Sequence, residues 1–396
     1  MTDRQSWLSR RYLVYRALSS MWFVSVVWLY FYRLFVADAQ VGLLDGLAFG
    51  IGLLAEVPSG ALADRFGRDR LTRLGQLLTA VGLLYQVAFP SFVNFVLGQA
   101  ITMVGVSLVS GADEAMFFHE LGFERSSTAW RRLVTRGGQA ALLGSLVATV
   151  SGGWLQMVDA RVPWYLTAVA FVGSVIAIWP VRDSRSRVSR QKFQAEVRAY
   201  VADIRTGFGQ FRLPQLSPYV PIIVVVQGLF YAYGFGLLRI ILLSRFGFSP
   251  LAGAVAVGIC IVLTVGLFAW MHHQADQLRE RPVIMTIVLS AAGALLAALG
   301  PVGWWGWAVI FVLYAGEHVL SPFMSETLNR HAPEGQRATV LSVASFMRAV
   351  PYVVLAPVIG ALNTAGHLGY FLVIWTFLIG LAVAQYAAAS RRIIAS

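Results

Sequence analysis

Across 396 residues the chain is 58% hydrophobic and only 13% charged, with a mean hydropathy of +0.68. A soluble globular protein of this size is excluded, because its surface would need far more charge. The formal charge of +12 falls in short loops between apolar runs, not along one polar face, which argues for membrane topology and against a nucleic-acid partner.

In chain order, Met1 to Arg11 is polar and basic, and the apolar run after it is too long for a signal-peptide core. It reads as a retained first span. The apolar runs then predict about twelve spans, each long enough to cross a bilayer. Their limits are 12–36, 40–63, 71–90, 92–118, 132–157 and 162–181, then 217–243, 250–271, 282–299, 304–328, 338–362 and 366–389. The expected division is an N-terminal six-helix half (1–181), a cytoplasmic basic linker (182–216) and a C-terminal six-helix half (217–396). The middle of the linker can form an amphipathic helix on the inner membrane surface, or remain a solvated connection.

Basic residues gather on one side: Arg4, Arg10 and Arg11, the 64–73 turn, 125–132, the linker, Arg279, Arg281, Arg330, Arg337, Arg391 and Arg392. The positive-inside rule then places both termini in the cytoplasm of a multi-pass protein of the cell inner (plasma) membrane. A shift of 212 residues superposes Asp64 on Asp276, Arg33 on Arg245, Glu114 on Glu326, His119 on His331, Arg125 on Arg337 and Arg136 on Arg348. Six coincidences in one register favour two homologous halves.

The turn between spans 2 and 3, Gly60-Ala61-Leu62-Ala63-Asp64-Arg65-Phe66-Gly67-Arg68, is dense in charge and glycine. Gly60 and Gly67 permit close helix approach and a tight turn, and Asp64 can face the positive end of a helix dipole. The run resembles the G-x-L-A-D-R-x-G-R signature of the major facilitator superfamily. The resemblance implies an all-α integral membrane fold of two pseudo-symmetric six-helix halves. It also implies a cytoplasmic gate, including Arg65, in which Asp64 latches the halves with help from Arg68. Asp113 and Glu114, near the inner end of span 4, are the expected carboxylate partners of Arg68.

Charges in mid-membrane are costly unless paired or wet, so each is a functional candidate. In span 10, Tyr314, Glu317, His318, Ser321 and Ser325 recur at helical intervals, and Arg348 lies at similar depth in span 11. Glu317, His318 and Arg348 form the expected proton-coupling cluster, with a fixed Glu317–Arg348 ion pair as the structural alternative. Glu56 is a further candidate for the inner gate or for proton carriage. Arg33 and Asp45 are equidistant from the turn at Ala39 and are expected to pair across it.

In the resembled fold, spans 1, 4, 7 and 10 line a central cavity. Here those spans offer Trp22, Gln99, Gln227, Tyr231, Tyr314 and Ser321, an aromatic set with few polar anchors that suits an amphipathic organic substrate. Span 5 departs from the G-x-x-x-G-P-x-x-G-G run of drug/proton antiporters, keeping Gly144 and Gly153 but losing the central Gly-Pro.

No phosphate-binding loop of the G-x-x-x-x-G-K-[ST] type occurs, and the single cysteine, Cys260, rules out an intrachain disulfide. No enzyme activity, cofactor or metal is expected. The function expected is secondary active transport of a small amphipathic compound by alternating access, as proton-coupled export. An uptake symporter or facilitator is the alternative, and a non-transporting receptor or scaffold on the same fold is a third. Substrate, protons and the lipid bilayer are the expected partners, with a monomer favoured.

Overall fold

A computed structural model describes residues 2–122, 128–182, 202, 205–234, 236–273, 281–300, 303–333 and 336–395. The described residues form helices and turns, with no strand among them. Eight of the helical segments are long and apolar enough to cross a membrane, Phe92–Leu121, Thr128–Val158 and Gly303–His331 among them. The chain divides into two compact units, Met1–Val36 with Leu47–Tyr200, and Ala37–Gly46 with Val201–Ser396.

The first unit begins with α1 (Asp3–Ser19), started by a capping box in which Thr2 accepts the Gln5 N–H and the Gln5 side chain accepts the Thr2 N–H. A turn region follows, then the short α2 (Trp28–Tyr32). Span 1 is therefore interrupted, where an unbroken helix over 12–36 was expected. The long α3 (Asp38–Phe66) has its first turns in the second unit and the rest in the first. It is followed by α4 (Arg68–Ala88), α5 (Phe92–Val109), α6 (Ala112–Leu121), α7 (Thr128–Val158) and α8 (Val162–Ile178). Gly111 adopts the left-handed conformation (φ 74°) and separates α5 from α6, so span 4 also bends where continuity was expected.

Packing in this unit relies on absent side chains. A Cβ on Gly105 would lie 2.6 Å from the Gly75 carbonyl oxygen, and one on Gly82 would lie 2.5 Å from that of Gly98. The α4 and α5 backbones therefore touch along a glycine seam, as small residues allow between membrane helices. Elsewhere the unit fills with rings: Phe31, Tyr32, Phe95 and Trp164 are each at most 1% exposed. The Tyr32 hydroxyl donates to the Gln86 carbonyl oxygen, which satisfies both inside the hydrocarbon.

The second unit contains a 3₁₀ turn (Ser217–Tyr219), a π-helical segment (Ile222–Gln227), α9 (Gly228–Gly234) and α10 (Leu238–Arg245). Then come α11 (Pro250–His273), α12 (Arg281–Ala298), α13 (Gly306–His331), α14 (Arg337–Thr364) and α15 (Leu368–Ala395). Span 7 is thus broken, close to the position that the 212-residue shift equates with the break in span 1. The first turns of α3 pack on α14, because Gly42, Gly46 and Gly360 bring the backbones together. The linker middle (183–201) and the loop 274–280 lie outside the described residues.

Candidate substrate and coupling sites

The inner turn is built on Gly67, whose φ of 95° lets α3 end at Phe66 and α4 start at Arg68. Gly60 and Asp64 fall within α3, but their surroundings lie outside the described residues. Arg65 sets its guanidinium 5.0 Å from the centre of the Phe66 ring. One contributor escaped the sequence reading: Asp69, 7% exposed, pairs with Arg73 at 3.0 Å along α4. Its signal was the i,i+4 spacing of an acid before a base.

Asp113 and Glu114 do not serve Arg68. Asp113 accepts the Tyr15 hydroxyl at 3.1 Å and the Glu114 N–H at 2.8 Å, and Arg16 lies 3.7 Å away. Glu114 is exposed beside it. The sequence reading chose Arg68 because both ends meet at the inner surface; α1 runs closer and supplies Tyr15 and Arg16 instead. Trp22 stands on the same side, edge-on to Phe171 with centroids 4.9 Å apart. Gln99 is half-buried on α5 and does not border the cavity of the first unit that Tyr15, Arg16, Trp22, Asp113 and Glu114 line. Glu56 is exposed on α3, with its carbonyl accepting Ser59.

In the second unit, Gln227, Tyr231, Glu317, Ser321 and Arg348 do come together. They line a narrow space of about 20 Å³ with Phe230 and Leu320. A neighbouring cavity of about 190 Å³ shares Gln227, Ser321 and Arg348 and continues past Met324, Leu341 and Ser345. The π-helical turn ending at Gln227 positions this wall, a distortion common at functional sites. Gly234 sits directly against the Glu317 carboxylate, where any Cβ would collide.

Glu317 and Arg348 form no direct hydrogen bond or ion pair here. Arg348 donates Nη1 to the Ser321 hydroxyl at 3.0 Å, while its Nε and the Glu317 Oε2 are buried without hydrogen-bond partners. Arg239 lies within electrostatic range of Glu317. His318 leaves the expected cluster: its Nδ1 meets the Tyr314 carbonyl at 2.9 Å and its ring stacks on Tyr314 at 4.4 Å. Consecutive helix residues do not share a face, so His318 stands outside the cavity that Glu317 borders, and Tyr314, held in the stack with His318, does not line it either. Asp45 likewise accepts a hydrogen bond from Tyr352 where Arg33 was expected. No cluster of metal-ligating side chains occurs among the described residues.

Residues 12–356 match the sequence profile of the Major Facilitator Superfamily. The chain is 20% identical over 360 residues to an uncharacterized MFS-type transporter, YxaM, of Bacillus subtilis (strain 168), covering 86% of this chain and 85% of that one. Its fold is similar to that of the nucleoside transporter NupG (TM-score 0.73, 12% identity, 98% of this chain and 99% of the other). It is also similar to the peptide transporter POT in complex with sulfate (TM-score 0.71, 15% identity, 98% and 96%). At such identities the likeness concerns the fold. The chain belongs to the Major Facilitator Superfamily and is a multi-pass membrane transporter, not an enzyme.

Proposed function

We propose that this protein is a proton-coupled secondary transporter that exports a small amphipathic organic compound by alternating access. It resides in the plasma (inner) membrane with both termini in the cytoplasm, and residues 1–181 and 217–396 are its two moving halves, joined by the basic linker 182–216. The cationic loops support that orientation.

One observation carries the coupling. The Glu317 carboxylate has a buried oxygen without a hydrogen-bond partner, and it borders a space of about 20 Å³. That volume suits a proton or a single water and is too small for an organic substrate. A membrane-embedded acid kept apart from bulky ligands is suited to carry the coupling proton. Arg348, held by Ser321, supplies the nearby positive charge that favours release.

The test uses purified protein in proteoliposomes, with a substrate first identified by ligand-induced thermal stabilisation. Glu317→Gln should abolish uphill accumulation driven by a pH gradient while preserving downhill exchange. Retained pH-driven accumulation would overturn the assignment, and loss of both activities would make Glu317 a binding or structural residue.

A further inference from the structure

The first unit holds a second, larger cavity of about 410 Å³, bordered by Tyr15, Arg16, Trp22, Gln76, Asp113 and Glu114. Its size lies in the range of small-molecule sites. We propose that it binds an organic cation with N–H donors, an aromatic or amphipathic primary ammonium ion. The inference rests on the transporter reading and adds the chemical class of the cargo.

The argument starts from one hydroxyl proton. Tyr15 gives its proton to Asp113 at 3.1 Å, so its oxygen is left to accept, and the Gln76 amide nitrogen donates to it at 3.0 Å. This order fixes the orientation of the Gln76 amide. The Gln76 carbonyl oxygen is then the end of the chain, buried and without a donor, on a side chain only 2% exposed. A buried acceptor left unmet is costly, and a ligand N–H meets it.

Charge points the same way. Among the described residues that line the cavity, Asp113 and Glu114 bring two carboxylates against the one guanidinium of Arg16, which stands 3.7 Å from Asp113, beyond hydrogen-bond distance. An added cation balances the cavity, and an added anion faces carboxylates and an open carbonyl oxygen. Trp22 and Phe171, edge to face at 4.9 Å, supply the apolar wall and an aromatic ring of the kind that attracts ammonium groups. Gln76 on α4, Asp113 on α6 and Trp22 after α1 are thus three separate elements brought to one ligand chemistry.

The test is calorimetric titration of the full-length protein in nanodiscs with three indole compounds near neutral pH. Tryptamine carries the ammonium, N-acetyltryptamine is its neutral counterpart, and indole-3-propionate is an anion. Tryptamine should bind tighter than either of the others by about tenfold or more, as expected of charge-assisted hydrogen bonds. Asp113→Asn keeps the side chain's size and one oxygen for the Tyr15 hydroxyl while giving up the Glu114 N–H bond, and Gln76→Leu removes the free acceptor together with the donor to Tyr15; each should weaken tryptamine by about tenfold without weakening N-acetyltryptamine.

Equal affinity for all three compounds, no tryptamine binding, or wild-type affinity in both variants would overturn the proposal. If Gln76→Leu fails to fold, the ligand comparison and Asp113→Asn decide alone. Binding is read without a gradient. Its failure therefore leaves pH-driven transport standing, and a failure of pH-driven transport leaves the cation site standing.

Discussion

Tyr352, midway along α14, donates its hydroxyl to the Asp45 carboxylate and accepts the Leu237 N–H at 2.8 Å. Asp45 is 2% exposed and Tyr352 is fully buried. One hydroxyl thus satisfies a carboxylate in the membrane interior and a backbone donor freed where span 7 unwinds, neither of which lipid can solvate.

Tyr352→Phe removes both bonds while keeping the ring. It should destabilise the protein by about 1–3 kcal/mol, the cost of leaving buried polar groups unmet. A thermal unfolding midpoint in detergent equal to that of the wild type would show that the bridge carries no stability.

Two glycine substitutions should act with opposite sign. At Gly82 a new Cβ meets the Gly98 carbonyl and the Thr102 side chain, so Gly82→Ala should cost about 1–3 kcal/mol through overpacking. At Gly138, within α7, nothing lies within 4 Å of the added carbon, and Gly138→Ala should stabilise by about 0.5–1 kcal/mol. Denaturation curves of the pair check the seam directly.

Gly234→Ala forces the Glu317 carboxylate out of its present position. The expected outcome is loss of pH-driven accumulation in proteoliposomes with a monodisperse, expressed protein. Normal accumulation would mean that the carboxylate works equally well elsewhere.

Asp64→Asn keeps the shape of the inner turn and removes its charge. If the proposed latch operates, the variant loses a charge–dipole interaction of about 0.3–1 kcal/mol and transport slows without lower expression. Flux in proteoliposomes, compared at matched protein content, decides whether Asp64 belongs to the gate.

Much of the fold was legible because length and apolarity alone mark a spanning segment. The helix expected over 162–181 is found at Val162–Ile178, and that over 250–271 at Pro250–His273. The interruption of span 1 was not legible, since residues 20–27 contain no proline, glycine or charge, whereas that of span 7 carried a signal in Gly236. Gly111 after Ser110 did carry a signal, the glycine that ends one helix and starts another.

Within the sites, helical spacing brought Gln227 to Tyr231 and Glu317 to Ser321, because such pairs lie one turn apart on one element. It misjudged partners that come from other elements. Asp45 was matched to Arg33 because both are equidistant from the turn at Ala39, but its partner, Tyr352, is 307 residues away. His318 was grouped with Glu317 by their similar depth in span 10, but as neighbours in sequence on a helix the two side chains turn apart.

The glycine seam also decides where the first unit is able to bend. With backbones in contact and Thr79 and Thr102 wedged between them, α4 and α5 cannot slide without driving side chains into carbonyls, so the pair behaves as one stiff beam. Compliance is left to the unwound stretch between α1 and α2, which has fewer backbone bonds to hold its shape. Spin labels at Leu84 and Leu97, exposed on the beam, should therefore keep one separation throughout the transport cycle. Labels at Val14 and Phe35, on either side of the unwound stretch, should not.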